Sequence, residues 1–154
     1  AELEMFVFAE SYRSAHEKGY RDLQTSGWYI EDYHIFQGTK IEPFIGAVRH
    51  HMERSGIPVE NSKGEWGPGQ HEVNFRYADF LETADRSVLF KQICKEIAYQ
   101  QDMAVTFMAK WNAETAGNSM HIHNSLWDAA GKQNCFVGDQ NLPGLPVAVS
   151  DTFR

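Results

Sequence analysis

Between residues 63 and 72 the chain reads Lys63-Gly64-Glu65-Trp66-Gly67-Pro68-Gly69-Gln70-His71-Glu72, with carboxylates on both sides of a Gly-Pro-Gly turn. Proline fixes its own φ, and the flanking glycines permit backbone angles that other residues avoid, so the chain can reverse tightly here. The reversal brings Glu65 and Glu72 near one another, where they repel and shift each other's pKa. A hard divalent cation is the usual compensation, because Mg²⁺ and Mn²⁺ take oxygen ligands. On this stretch alone, a hairpin with two solvated acids is the simpler interpretation.

Two further stretches carry side chains of the same chemistry. The chain opens Ala-Glu-Leu-Glu-Met-Phe-Val-Phe, and a period of two places Glu2 and Glu4 on one face of a predicted strand. In the later segment Met-His-Ile-His-Asn-Ser-Leu, the side chains of His121, His123 and Ser125 share one strand face, and apolar side chains share the other. Four acids and two histidines on three strand-like segments favour a common site over scattered surface charges.

Three motifs carry a resemblance to a known family. Glu-x-Glu, then Glu-x-Gly-Pro-Gly-Gln-His-Glu, then Met-His-Ile-His-x-Ser-Leu, in this order, resemble the catalytic domain of glutamine synthetases. The resemblance covers nearly the whole chain. It implies an ATP-dependent ligase that joins the γ-carboxylate of glutamate to ammonia through γ-glutamyl phosphate, with two or more Mg²⁺ or Mn²⁺ ions per site. It also implies that residues 1–154 are the central part of a catalytic domain whose N-terminal and C-terminal parts are missing, so we expect no turnover from these residues alone.

The resemblance implies metal ligands position by position. One metal is expected on Glu4, Glu65 and Glu72. The other metal is expected on Glu2 and His121, together with a glutamate beyond the last residue of the sequence. Glu65 also corresponds to a position that takes a proton from the incoming amine.

Substrate positions follow from the same resemblance. Tyr77 corresponds to an aromatic residue that stacks on adenine, and His123 and Ser125 correspond to positions that contact the phosphates or sugar of the nucleotide. Gly117 matches a backbone position that touches the substrate glutamate. Tyr33 matches a catalytic tyrosine at the amine site. The family forms large homo-oligomeric rings, so we expect a ring-shaped homo-oligomer, of which a dodecamer is the expected form.

The chain also departs from the family pattern. The turn is usually preceded by His-His, which is Lys63-Gly64 here, and the residue before Gly117 is usually Asn but is Ala116 here. These changes fall around the glutamate and amine sites. They leave a γ-glutamylamide synthetase, acting on a polyamine, ethanolamine or another amine, as the alternative to a glutamine synthetase. A non-catalytic relative and a two-metal hydrolase are two further hypotheses.

Composition bounds the class of protein. A length of 154 residues suits one domain with a core, and a net charge of −7 without a basic patch argues against a nucleic-acid partner. Cys94 and Cys135 lie far apart and lack metal-site spacing, which favours a reducing compartment, and we expect a cytoplasmic protein. No signal peptide or transmembrane run is evident, so no membrane partner is expected.

Periodicity predicts an α+β domain, in which an antiparallel or mixed sheet carries the metal site and helices pack on one face. Predicted strands span 2–9, 58–62, 70–77, 103–110 and 118–127, and predicted helices span 40–54 and 80–101. The segments between them are predicted as a short helix or excursion in 10–21, a loop at 25–34 and a turn at 128–132. A linker at 142–146 leads into a predicted terminal helix. In the second helix Leu89, Ile93 and Ile97 recur at helical spacing, with Phe90 and Cys94 beside them, and predict the core face.

Overall fold

The computed structural model describes residues 1–141 and 148–149, and the chain divides into two compact units, residues 1–121 and 122–154. The elements in chain order are β1 (Glu2–Phe8), α1 (Tyr12–Glu17), α2 (Ile35–Arg54), β2 (Val59–Gly64), β3 (Gln70–Phe75), α3 (Phe80–Gln100), β4 (Ala104–Thr106), β5 (Met120–His121), β6 (Val137–Asn141) and β7 (Ala148–Val149). An open antiparallel sheet with helices confirms the predicted fold class.

The first unit is built on a five-stranded sheet in the order β2-β3-β1-β4, with β5 also paired to β1. The register of β1 places Glu4 opposite Glu72 on β3, and Glu2 opposite both Asn74 on β3 and His121 on β5. Directly opposed residues of an antiparallel pair project to the same face. The sheet therefore gathers these polar side chains on one face.

The opposite face of the sheet carries the hydrophobic core. Leu3, Met5 and Val7 lie on the face of β1 opposite to Glu2 and Glu4 and are at most 1% exposed, because they pack against α2 and α3. The helices supply the rest of this core, principally through Phe44, Val48, Met52, Phe90, Cys94, Ile97 and Ala98. Burial of one face thus fixes the register that leaves the other face open for chemistry.

The core face of α3 differs from the predicted one at its N-terminal half. Phe90, Cys94, Ile97 and Ala98 are buried, whereas Leu89 is 49% exposed. The prediction that Leu89 belongs to the core is wrong. The reason is the orientation of the helix, since Phe90 packs on Phe75 and Phe107 and turns its neighbour outward.

Helix α2 begins five residues before the predicted start, at Ile35 instead of residue 40. His34 caps the helix, and its Nδ1 accepts a hydrogen bond from the backbone N–H of Gln37 at 3.4 Å. The first turn exposes Ile35 and Phe36, so it lacks the apolar periodicity by which the rest of the helix was predicted.

Two predicted strands are much shorter than expected. Residues 103–110 form a strand only at Ala104–Thr106, and residues 118–127 only at Met120–His121. Both pair with the same edge of β1, where β4 takes Phe6 to Phe8 and β5 takes Glu2 and Leu3. Residues 122–126 do not belong to a strand in the described structure. The prediction that His121, His123 and Ser125 share one strand face is therefore wrong.

The described part of the second unit contains a turn and a small sheet. The N–H of Gly131 donates to the carbonyl of Asp128 at 2.9 Å, which confirms the predicted turn. Strands β6 and β7 pair with each other in antiparallel fashion. The predicted linker at 142–146 lies outside the described residues, and so do residues 150–154 at the end of the predicted terminal helix. Among the described residues, no helix has the length and apolar character needed to cross a membrane.

His71 lies on the core face of β3, and its burial should make the fold less stable in acid. It is 2% exposed, and within the described structure its Nε2 has no hydrogen-bond partner. Burial lowers the pKa of His71 to about 4. Since an imidazole in the unfolded chain has a pKa near 6.5, only the unfolded state binds this proton between these two values.

We expect the free energy of unfolding to fall as pH decreases from about 6.5 towards 4, with a loss of about 3 kcal/mol from His71 at about 1.4 kcal/mol per unit. Above pH 6.5 this contribution is fully present. Urea unfolding at a series of pH values checks the slope, and His71→Leu should remove it. An NMR titration in which the His71 imidazole protonates near pH 6.5 in the folded protein would contradict the assignment.

Candidate active site

An open cavity of about 660 Å³ lies on the polar face of the sheet in the first unit. Its lining includes five predicted metal ligands and the predicted catalytic tyrosine, namely Glu2, Glu4, Glu65, Glu72, His121 and Tyr33. These residues come from β1, β3, β5, the Gly-Pro-Gly turn and the loop before α2, so residues far apart in sequence meet here only through the sheet register.

The turn has the tight geometry expected from its sequence. Gly69 has a φ of +77°, in the left-handed region that favours glycine. The N–H of Gln70 donates to the carbonyl of Gly67 at 2.8 Å, and the N–H of Glu65 donates to the carbonyl of Gln70 at 2.8 Å. The chain reverses within these few residues and places Glu65 beside Glu72.

Two sets of potential metal ligands lie in this cavity. Glu4, Glu65 and Glu72 form one set, and Glu2, Glu72 and His121 form the other; within each set, one ligand atom per residue lies within 4.8 Å of the others. Glu72 belongs to both sets. The donors are carboxylate oxygens with one imidazole nitrogen, a combination that fits Mg²⁺ or Mn²⁺.

Burial and mutual repulsion disfavour the ionised form of the carboxylates in this cluster. Glu4 is 8% exposed and Glu72 is 3% exposed. Burial raises the pKa of Glu72, with the charges of Glu65 and Glu2 adding to this, although the Lys63 ammonium opposes it. A bound divalent cation would favour the charged carboxylates.

Lys63 places a cation inside the acidic cluster. From the sequence alone, Lys63 was only a departure from the family pattern. Its Nζ forms an ion pair with Glu65 and lies 3.7 Å from Oε1 of Glu72. It also lies 5.1 Å from the centre of the Tyr33 ring, within range of a cation–π interaction. Burial lowers the pKa of Lys63, but the hydrogen bond to Glu65 and the charges of both glutamates outweigh this and raise it.

Gln70 and Ser119 hold the carboxylate of Glu4, and sequence reasoning assigned neither of them a role. The side-chain amide of Gln70 donates to Oε2 of Glu4 at 3.0 Å, and the backbone N–H of Ser119 donates to the same atom at 2.9 Å. The Ser119 hydroxyl donates to Oε1 of Glu4. Gln70 is 1% exposed, and its Oε1 accepts the N–H of Gly67 at 3.0 Å. The signal available in sequence was the place of Gln70 on the same face of β3 as Glu72.

The other predicted site residues are placed less directly. Gly117 is linked to the site because its carbonyl accepts a hydrogen bond from Nε2 of Gln70 at 2.9 Å. Tyr77 follows the end of β3, is 93% exposed, and is not among the described residues that line the cavity. His123 and Ser125 belong to the second unit, where the Ser125 hydroxyl accepts a hydrogen bond from the Trp127 indole at 3.0 Å.

Comparison with known proteins gives consistent relatives. A γ-glutamylethanolamide synthetase, GlnA4, of Streptomyces coelicolor is 45% identical over 131 residues, which are 85% of this chain and 28% of the relative. A glutamate–isopropylamine ligase of a Pseudomonas species is 36% identical over 152 residues, 99% of this chain and 33% of that protein. Among solved structures, ligand-free GmaS superimposes with a TM-score of 0.76 at 30% identity, covering 90% of this chain and 31% of the other.

The chain therefore spans only about a third or less of the length of these relatives. The profile of a single family, described as the catalytic domain of glutamine synthetase, matches residues 1–153. The motif resemblance, the fold and this match agree over nearly every residue. The chain belongs to the glutamine synthetase family.

Proposed function

We propose that the complete protein containing this chain is an ATP-dependent ligase that joins the γ-carboxylate of glutamate to an amine. The observation that supports this best is the cavity in which Glu2, Glu4, Glu65, Glu72 and His121 lie together in two ligand sets. A ligase that handles ATP needs divalent cations beside its phosphates, and this arrangement of donors suits that purpose.

The chemistry divides between activation and attack. A free carboxylate is a poor electrophile. One of its oxygens bonds to the γ-phosphorus of ATP, the bond from that phosphorus to the β–γ bridging oxygen breaks, and ADP leaves, which gives γ-glutamyl phosphate. The amine nitrogen then forms a bond to the γ-carbon, and the bond from that carbon to the phosphate oxygen breaks, so phosphate leaves with the electron pair. Bound divalent ions on the two ligand sets would neutralise the phosphate charge during transfer.

The residues of this chain have distinct proposed roles in the second step. Glu65 would accept the proton that the amine loses as it attacks, because its carboxylate lies on the cavity wall. Tyr33 lines the same cavity and would contact the amine. Gln70 and Ser119 hold Glu4 in place, which fixes the geometry of one ligand set. Gly117 would contact glutamate, and Tyr77, His123 and Ser125 would contact the nucleotide.

We infer that the acceptor is a primary amine larger than ammonia. Of two relatives, the one at 45% identity is named for forming γ-glutamylethanolamide and the one at 36% identity for joining glutamate to isopropylamine. The departure at Lys63 lies on the cavity wall, and the exposed ring of Tyr33 offers apolar surface to an alkyl group. Ammonia, as in a glutamine synthetase, is the second candidate, because the matching profile carries that description.

The proposal is tested by following phosphate release from ATP by the complete enzyme with Mg²⁺ and glutamate. The acceptors are ammonium, ethanolamine, isopropylamine, putrescine and spermidine, each varied to saturation. We expect the highest kcat/KM with a primary alkylamine. A preference for ammonium would select the glutamine synthetase. No phosphate release with any amine would favour a non-catalytic protein, and hydrolysis of ATP that no amine stimulates would favour a hydrolase.

The oligomeric state and the cellular compartment are also proposed. We propose a homo-oligomeric ring in the cytoplasm, which is the arrangement that the family resemblance implies. Mass photometry of the purified complete protein measures the subunit number, and a monomer would contradict the ring.

A further inference from the structure

Glu31 is a buried carboxylate that the proposed mechanism does not use. It lies in the loop before α2 and is 3% exposed. Its Oε1 accepts a hydrogen bond from the backbone N–H of Gly69 at 3.1 Å. Burial raises the pKa of Glu31, because removing its charged carboxylate from water costs free energy. Gly69 belongs to the turn between Glu65 and Glu72, so this bond ties the loop to the acidic cluster.

Glycines make the close approach of Glu31 possible. A Cβ on Gly27 would overlap Oε1 of Glu31, and a Cβ on Gly64 would overlap the Glu31 carbonyl and lie 2.6 Å from its Cβ. Asp32 also forms a parallel bridge with Gly64. The loop therefore packs directly on the end of β2, at a position where the family pattern usually has a histidine. With any side chain at residue 64, the loop would have to move.

The same loop holds Tyr33 in an uncommon conformation. Tyr33 has a φ of +52°, in the left-handed region that residues other than glycine seldom adopt. Such a conformation persists only where neighbouring contacts determine it, and here the N–H of His34 donates to the carbonyl of Glu31 at 3.0 Å. The Tyr33 ring is thereby placed above Lys63 on the cavity wall.

We propose that Glu31 is a positioning residue for the amine acceptor: it fastens the loop to the Gly-Pro-Gly turn and acts through Tyr33, while Gly64 provides the space that this contact needs. The proposal rests on the proposed glutamate–amine ligase function. It predicts that disturbing Glu31 affects use of the amine and leaves glutamate, ATP and metal binding largely unchanged, because the two ligand sets do not include Glu31.

The test uses Glu31→Ala and Glu31→Gln in the complete enzyme. Glutamine keeps an oxygen that can accept the Gly69 hydrogen bond, whereas alanine does not. We expect Glu31→Ala to raise the KM for the amine by about tenfold or more, with the KM for glutamate and the Mn²⁺ affinity within about twofold of wild type, and Glu31→Gln to stay within about threefold. Equal changes in every parameter, or an equal loss in the two variants, would show a merely structural or a charge-dependent role and overturn the proposal.

A double-mutant cycle with Tyr33→Ala tests whether Glu31 acts through Tyr33. If it does, Glu31→Ala should add little to the amine KM once Tyr33 is removed, and fully additive effects would contradict this. Gly64→Ala is the second variant, used where Glu31→Ala folds poorly, and the same selective rise in amine KM is expected; an unchanged amine KM would count against the proposal. Wild-type enzyme that no amine stimulates would refute the proposed function itself, whereas active wild type with unselective variants refutes this inference alone.

Discussion

Glu72→Gln should remove Mn²⁺ binding and ligase activity together, because Glu72 is the one residue that belongs to both ligand sets found among the described residues. Loss of a partner that only supports a ligand costs about 10–100-fold in metal affinity, so we expect loss of this ligand to cost at least about 100-fold. Burial raises the pKa of Glu72, so the fold does not depend on its negative charge and the variant should fold. Calorimetric titration with Mn²⁺ and phosphate-release assays on the complete enzyme measure the two losses.

Glu60→Gln is the matched control for Glu72→Gln. Glu60 lies on the neighbouring strand β2, is exposed, and does not belong to either ligand set. Glu60→Gln removes one negative charge, as Glu72→Gln does, but leaves both ligand sets intact, so Mn²⁺ affinity and turnover should stay near wild type. Wild-type Mn²⁺ affinity in Glu72→Gln, or equal losses in the two variants, would mean that the cluster is not a specific metal site.

Phe90→Ala should destabilise the protein by about 3–5 kcal/mol, which is the range for truncating a buried phenylalanine. Phe90 is fully buried and packs on Phe75 from β3 and on Phe107, so alanine leaves a cavity between helix and sheet. Chemical denaturation of the purified protein, followed by far-UV circular dichroism, measures the loss.

Leu89→Ala is the control for the orientation of α3. Leu89 is 49% exposed, so its truncation should cost about 1 kcal/mol or less. The sequence pattern alone placed Leu89 in the core beside Phe90. A larger destabilisation from Leu89→Ala than from Phe90→Ala would mean that α3 is rotated about its axis and turns Leu89, instead of Phe90, towards the sheet.

The face of the sheet on which Glu4 and Glu72 lie was predictable from sequence. Glu4 alternates with buried Leu3 and Met5 in β1, and Glu72 precedes buried Val73 in β3, so the period of two identified both the core face and the cavity face at these positions. The Gly-Pro-Gly turn was predictable for a similar reason, because its residue types determine its backbone angles. Local chemistry was sufficient in both cases.

Features that depend on pairing and on distant contacts could not be predicted. The histidine strand ends at His121, which pairs with Glu2 of β1, and nothing within the histidine segment records this pairing. Glu31 reads as an ordinary loop acid until Gly27, Gly64 and Gly69 are seen to surround it. Gln70 gains its role from contacts with Glu4 and Gly117, which lie 66 and 47 residues away along the chain.

The proposed ligase depends on transfer of the γ-phosphoryl group of ATP to the γ-carboxylate of glutamate in this cavity. The most direct test gives the complete enzyme glutamate labelled with ¹⁸O in the γ-carboxylate, together with ATP, Mg²⁺ and the preferred amine, and analyses the released phosphate by mass spectrometry. When the amine attacks the acyl phosphate, the departing phosphate carries away one oxygen of the original γ-carboxylate. With both carboxylate oxygens labelled, we therefore expect one ¹⁸O atom in each phosphate released with the amide. Phosphate without label, released at the same rate as the amide, would contradict it.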